Sequence, residues 1–268
     1  MYAFNYQRPK TVRQAAGLLA KAGGDGKLLA GGQTLLPTMK QRLASPAMLI
    51  DLNQVDGMSG IELKGRNLHI GAMTKHADVA NSHVVKTAIP GLAALAEGIG
   101  DPAVRNRGTI GGSIANNDPA ADYPAACLGL GATIVTNKRK IPADEFFTGM
   151  FDTALEEGEI VTKVIFPVPQ KAAYEKFPHP ASRYAMVGVF VGKKGSDVRV
   201  AVTGAGANGV FRLPEFEAAL KTRFNAKSLD GLSVPADGLN GDIHASPEYR
   251  AHLIGVMAKR AVSKALGK

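Results

Sequence analysis

Gly108-Thr109-Ile110-Gly111-Gly112-Ser113-Ile114-Ala115-Asn116-Asn117-Asp118-Pro119 is the stretch on which the fold turns, and Ala30-Gly31-Gly32-Gln33-Thr34-Leu35 repeats its central theme. Each diglycine sits where a strand ends or a helix begins. Adjacent glycines let consecutive backbone N–H groups converge on one anion. The missing side chains let a phosphate approach the main chain closely. Thr34, Thr109 and Ser113 add hydroxyl donors, and a helix N-terminus adds partial positive charge. Two such loops could grip the two phosphates of one pyrophosphate. The competing reading is a pair of tight turns between packed elements. Neither loop is G-x-G-x-x-G or G-x-x-x-x-G-K-S/T, which argues against the Rossmann and P-loop classes.

Working outward, residues 1–53 read as a small α/β unit. Phe4 to Tyr6 is a strand. Thr11 and Gln14 form a capping box, followed by Val12, Ala15, Ala16 and Leu19 at helical spacing. Gly23 to Gly26 stops that helix. Lys27 to Ala30 is a strand leading into the first loop, a helix runs on to about Arg42, and Met48 to Leu52 is a strand. Residues 54–170 form a second unit. It opens with a hairpin of Ile61–Leu63 and Leu68–Ile70 about Lys64 to Asn67. Helices are predicted over Thr74–Asn81, Pro90–Glu97 and Ala120–Leu130, and strands over Ala132–Val135 and Ile160–Phe166. The Pro- and Lys-rich segment Val168 to Pro180 reads as the main boundary. Beyond it, in residues 171–268, Met186–Val191 and Val198–Thr203 are strands and Pro214–Thr222 a helix. Residues 225–242 read as irregular. Ser246 caps a final helix with Leu253, Val256, Met257, Ala261 and Leu266 inside.

The 268 residues are 45% hydrophobic and 21% charged, so a packed core is expected. The single cysteine, Cys127, excludes an intrachain disulfide, a four-cysteine zinc site and an iron–sulfur cluster. It reads as a small buried hydrophobe. The six histidines show no metal spacing, and no metal site is expected. The net charge of +9 suits a polyanionic ligand, nucleic acid or an acidic partner. With no Trp and only 6% aromatics, a single-strand stacking platform is poorly supplied, and nucleic acid is not an expected partner. The opening MYAFNYQRPK has no apolar leader and no run reaches membrane-span length, so a cytoplasmic protein is expected.

AGGQTLLP at Ala30, RNRGTIGGSIANNDPAADYP at Arg105 and KFPHPASRYAMVGVFV at Lys176 resemble the FAD-binding medium subunits of molybdenum hydroxylases, the xanthine dehydrogenase family. Within it the nearest likeness is to the medium subunits of aerobic carbon monoxide dehydrogenases. The resemblance spans essentially the whole chain. It implies an α+β fold. Residues 1–170 would form a two-subdomain FAD-binding domain of the vanillyl-alcohol-oxidase (PCMH) type. Residues 171–268 would form a C-terminal domain with a three-stranded antiparallel sheet and helices.

The resemblance also implies roles. Leu29, Ala30, Gly31, Gly32, Gln33, Thr34 and Leu35 would form the first pyrophosphate loop. Thr109, Ile110, Gly111, Gly112, Ser113 and Ile114 would form the second. Ile99 would pack against the flavin, and the Val161 backbone would meet the isoalloxazine edge. Asp122, with Asp118 on the same face if the stretch is helical, would meet ribose or ribityl hydroxyls. Lys176 would lie near flavin N1 and O2, and Tyr184 over one ring face. Tyr184 directly follows Arg183 here, where several relatives carry an intervening Asp. Arg105 and Arg107 would neutralise phosphate or form a docking face.

The implied protein is an oxidoreductase subunit that passes electrons from 2Fe–2S clusters on a small partner to quinone or another acceptor. A large partner would hold molybdopterin cytosine dinucleotide, in a dimer of heterotrimers. An aldehyde, xanthine or N-heterocycle dehydrogenase would use the same subunit; the alternative from a different class is a basic nucleic-acid-binding or assembly module without redox activity. Relatives that reduce aromatic coenzyme A thioesters carry an extra cluster on this subunit, and one cysteine argues against that branch.

Overall fold

Thr11 begins the first helix as its pattern demands. In the computed structural model, which describes residues 1–268, its hydroxyl accepts from the Gln14 N–H at 3.2 Å. The Gln14 side chain takes the Lys10 N–H at 2.9 Å. The first unit runs β1 (Asn5–Gln7), α1 (Val12–Ala22), β2 (Gly26–Leu29), α2 (Leu35–Lys40) and β3 (Met48–Asp51). Its sheet is parallel, in the order β1-β3-β2. The carboxyl ends of β2 and β3 therefore lie on one edge, and the first glycine loop leaves from there.

The second unit contains β4 (Ile61–Lys64), β5 (Asn67–Gly71), α3 (His76–Asn81), α4 (His83–Ala88), α5 (Pro90–Glu97) and α6 (Pro102–Arg105). It continues through α7 (Ile110–Asn116), α8 (Tyr123–Leu130), β6 (Thr133–Thr136), β7 (Lys140–Pro142) and α9 (Ala143–Phe146). A small hairpin, β8 (Phe147–Gly149) and β9 (Asp152–Thr153), precedes β10 (Val161–Pro167). The antiparallel sheet has the order β4-β5-β10-β6-β7. Every residue of α8 is buried, which explains a sequence that is apolar all round.

Two departures from the sequence expectation bear on the site. The glycine-rich run carries a true helix, α7, because Ile110 and Ile114 bury completely and Thr109 caps it. Tertiary packing overrides the poor propensity of paired glycines. Helix α8 starts at Tyr123 rather than Ala120. Residues 118–122 form a turn instead, in which Asp118 Oδ1 accepts the Ala120 N–H at 2.9 Å. Asp118 and Asp122 thus do not share a helix face.

The remaining chain forms β11 (Lys171–Pro178), β12 (Ala185–Lys194), β13 (Asp197–Thr203), β14 (Phe211–Arg212), α10 (Pro214–Thr222) and α11 (Pro247–Ala265). The sheet is antiparallel, β11-β12-β13-β14: three long strands and a two-residue edge strand. Strand β11 occupies most of the Pro- and Lys-rich segment read as a boundary. Pro169 precedes it and Pro178 ends it, so neither ring interrupts the ladder. One sheet face sends Tyr174, Phe190 and Ala201 into the core around α8. The other sends Val187, Val189, Val191, Val198, Val200 and Val202 against α10 and α11. That double cover accounts for the unbroken apolar run of β12. In α11, Leu253, Met257 and Ala261 are buried, while Val256 and Leu266 are partly buried. No helix is long and apolar enough to cross a membrane.

Candidate cofactor site

A cavity of about 580 Å³ opens where the first two units meet. Its wall includes Ala30 to Leu35 of the first loop and Thr109, Gly111, Gly112 and Ser113 of the second. Ile99, Asp118, Asp122, Val161 and Tyr184 also line it. Four expected residues do not. Leu29 packs beneath the first loop, where a Cβ on Gly32 would lie 3.2 Å from its Cδ1. Ile110 and Ile114 are sealed in the core as anchors of α7. Lys176 sits behind the wall, donating to Gly98 O at 2.8 Å and pairing with Asp122 at 2.9 Å.

The first loop carries free donors. The backbone N–H groups of Gly31, Gly32, Gln33, Thr34 and Leu35 make no hydrogen bond within the chain. Gly32 adopts φ +72°, a left-handed turn that an L side chain disfavours. The Asn53 side chain steadies the loop by donating to Ala30 O at 3.2 Å and to Asp51 Oδ1 at 2.6 Å. Five consecutive unpartnered donors on a glycine turn are the raw material of an anion cradle.

The second loop is built differently. Its Ile110 N–H goes to Thr74 O at 3.1 Å, its Gly111 N–H to Ala72 O at 2.8 Å, and its Gly112 N–H to Thr109 Oγ1 at 3.1 Å. These donors are spent on the protein. What this loop contributes is proximity: a Cβ on Gly31 would overlap the Arg107 carbonyl, so the two loops touch main chain to main chain. Arg105 is likewise committed, donating to Ile99 O at 3.0 Å and Gly100 O at 2.9 Å. It shapes the wall rather than reaching out to a phosphate.

His76, which the sequence does not single out, also lines the cavity. It is buried, its Nδ1 has no partner, and burial together with the Arg105 charge lowers its pKa to about 4. The imidazole is therefore neutral and keeps unused hydrogen-bonding capacity. Only its place after the Thr74 turn, against Gly108, puts it here, and no local pattern signals that.

At the mouth, the loop from His179 to Tyr184 closes on itself. The His179 N–H donates to Tyr184 O and the Arg183 N–H to His179 O, both at 2.8 Å. The His179 Nδ1 accepts from the Ala181 and Ser182 N–H groups. Arg183 takes φ +61°, which swings Tyr184 to the cavity rim, half exposed. Burial and the nearby Asp118 and Asp122 charges raise the Tyr184 phenol. No group of three or more His, Cys, Asp or Glu side chains is placed to hold a metal ion. Cys127 is sealed within α8.

The donor set, acceptors and size fit an elongated pyrophosphate cofactor. Residues 2–169 match the family described as the FAD binding domain in molybdopterin dehydrogenase. The carbon monoxide dehydrogenase medium chain of Hydrogenophaga pseudoflava is 37% identical, over 98% of this chain and 96% of that one. The nicotine 6-hydroxylase medium subunit of Paenarthrobacter nicotinovorans is 35% identical, over 98% and 97%. Among solved structures, carbon monoxide dehydrogenase from Hydrogenophaga pseudoflava superposes with a TM-score of 0.86 at 36% identity, over 99% of this chain and 98% of that one. Quinoline 2-oxidoreductase from Pseudomonas putida 86 gives a TM-score of 0.84 at 28% identity, over 99% and 98%. The cradle of free N–H groups, the frame that backs it and these likenesses agree: the chain belongs to the FAD-binding subunits of the molybdenum hydroxylases.

Proposed function

We propose that this chain is the electron outlet of a molybdenum hydroxylase complex, of the carbon monoxide dehydrogenase kind. FAD held in the cavity supplies a centre that accepts electrons singly and releases them in pairs. The observation that carries the reading is the run of five unpartnered N–H groups from Gly31 to Leu35. They would hold the pyrophosphate. Thr109, Gly112 and Ser113 close over its other side. Asp122 and Asp118 accept from sugar or ribityl hydroxyls, which suits carboxylates that line the wall. Ile99 and Val161 pack against the ring system, and Tyr184 covers a face at the rim. Residues 1–170 would be the FAD-binding domain and 171–268 the domain that buttresses it.

Electrons would arrive from 2Fe–2S clusters on a small partner, with the molybdenum centre on a large one, and leave to quinone or another acceptor. A dimer of heterotrimers in the cytoplasm is the expected assembly. The substrate is selected on the large partner, so an aldehyde, xanthine or N-heterocycle dehydrogenase remains the second reading. The test is to load the chain, alone and co-expressed with its partners, with FAD, FMN and riboflavin. The pyrophosphate cradle predicts retention of FAD well above the other two. Absence of bound flavin from the purified complex would overturn the proposal. Assaying the complex against carbon monoxide, aldehydes and N-heterocycles chooses between the two substrate readings.

A further inference from the structure

Asp122 is the buried carboxylate of the cavity wall, and its two oxygens are used unequally. Oδ1 accepts from the Tyr174 hydroxyl at 2.6 Å and pairs with the Lys176 ammonium at 2.9 Å. No other residue donates a hydrogen bond to Oδ2; the one further donor at the carboxylate is Asp122's own N–H. Asp122 lines the cavity, and with Oδ1 engaged by Tyr174 and Lys176 it is Oδ2 that keeps accepting capacity toward it. Tyr174 and Lys176 do not line the cavity. They stand two residues apart on β11 and so project from one face of that strand.

The surroundings are built to keep this arrangement. Gly188 on β12 faces Lys176 in register, and a Cβ there would overlap the Tyr174 hydroxyl. Glycine thus leaves the hole that the phenol fills. The Tyr174 ring stacks on Phe190 with centroids 6.2 Å apart. The turn carrying Asp122 is clamped from β13: Thr203 Oγ1 donates to Ala121 O at 2.6 Å, and the Gly204 N–H donates to Pro119 O at 2.8 Å. A buried carboxylate so held is costly unless its donors stay in place.

We infer that Tyr174 is a positioning residue for the cofactor cavity: with Lys176 it fixes the Asp122 carboxylate so that Oδ2 faces the cavity as an acceptor for a cofactor hydroxyl. The orientation follows from the chain alone. Only the identity of the hydroxyl rests on the FAD reading. Lys176 and Tyr174 from β11 act on Asp122 directly, and Tyr123 of α8 and Tyr184 at the rim feel its charge; Glu175 acts on Tyr174, Cys127 on Tyr123 and Asp118 on Tyr184. Lys264 of α11 neutralises Glu175 at 2.6 Å. Burial raises the Asp122 carboxyl, and the Lys176 charge and the Tyr174 hydrogen bond oppose that rise.

The experiment is an infrared pH titration of the full chain without flavin, in wild type and Tyr174→Phe. Asp122→Asn identifies the protonated-carboxyl signal of Asp122. Losing one hydrogen bond to a charged group shifts the acid constant roughly tenfold to a hundredfold. Tyr174→Phe should therefore protonate Asp122 at higher pH. Site-specific 3-fluorotyrosine at position 174, a stronger donor of the same shape, should shift it the opposite way. It decides the matter if Tyr174→Phe does not fold. FAD dissociation constants measured across the same pH range should weaken in Tyr174→Phe as pH falls, more than in wild type. An Asp122 titration unmoved by both replacements would overturn the inference. Failure of wild-type chain and complex to bind FAD would instead overturn the cofactor reading and leave the infrared result standing.

Discussion

Gly31→Ala tests the contact on which the cavity depends. A Cβ at this position would meet the Arg107 carbonyl oxygen inside any allowed contact, with Gly108 Cα at 2.7 Å and the Arg107 carbonyl carbon at 2.8 Å. All three are backbone atoms, so no side chain can rotate away. Restoring an ordinary contact requires the two loops to part by about 1 Å. Overpacking of this kind costs about 1–3 kcal/mol. The same displacement shifts the free donors from Gly31 to Leu35 relative to the second loop. Hydrogen bonds to charged groups are worth about 1.5–3 kcal/mol each, so loss of one weakens binding by roughly 10- to 150-fold. Urea unfolding of the full chain reads the first effect, and quenching of FAD fluorescence, on chain or complex, reads the second. If Gly31→Ala unfolds at the wild-type urea concentration and binds FAD within about twofold of wild type, the two loops do not form one site.

The neutral burial of His76 makes stability depend on pH. Its folded pKa, about 4, lies below the ordinary 6.5, so the unfolded chain binds the proton first. The contribution is complete above pH 6.5 and is lost as pH falls toward 4, by about 3 kcal/mol in all; His76→Gln should flatten the urea midpoints between pH 7 and 5. Gly188→Ala should lower the urea midpoint by overpacking worth about 1–3 kcal/mol, because the methyl overlaps the Tyr174 hydroxyl. Gly111→Ala and Gly112→Ala should separate stability from binding. The first drives a methyl into the Ala72 backbone and should destabilise the chain whether or not FAD is present. The second meets only Thr109 Oγ1 at 3.0 Å and Ala30 Cβ at 3.4 Å and should weaken FAD binding with little change in the urea midpoint.

Local chemistry explains which features were legible in the sequence. The capping box at Thr11, the hairpin about Gly65 and the cap at Ser246 are short-range patterns, and each forms where it is written. The first glycine loop was readable for the same reason: Gly32 needs the left-handed region and the following helix begins at once. The second loop is less direct, because paired glycines also suit a tight turn, while two buried isoleucines hold it as a helix. Strand β11 was hidden by prolines that fall at its edges. His76, Asn53 and Tyr174 reach the site or its support through contacts 23 to 52 residues distant in sequence, from Asn53 to Ala30 up to Tyr174 to Asp122. Periodicity and spacing carry no information about such pairs.

The two diglycines therefore do different work despite their likeness. In the first, glycine frees the backbone: φ is positive at Gly32 and no N–H from Gly31 to Leu35 is used internally. In the second, glycine frees space: Gly108 admits the His76 ring, Gly111 admits Ala72, and the N–H groups of Ile110 and Gly111 are anchored to the turn after β5. A loop with every donor exposed on both sides would pay for ordering ten or so residues on binding. Anchoring one loop to the turn after β5 gives the other a fixed wall to face. The buttress of β11 to β13 extends that logic to Asp122, whose turn is held by Thr203 and Gly204 and whose carboxylate is held by Tyr174 and Lys176. On this view the C-terminal sheet fixes the direction of an acceptor in a cavity that its own strands do not line.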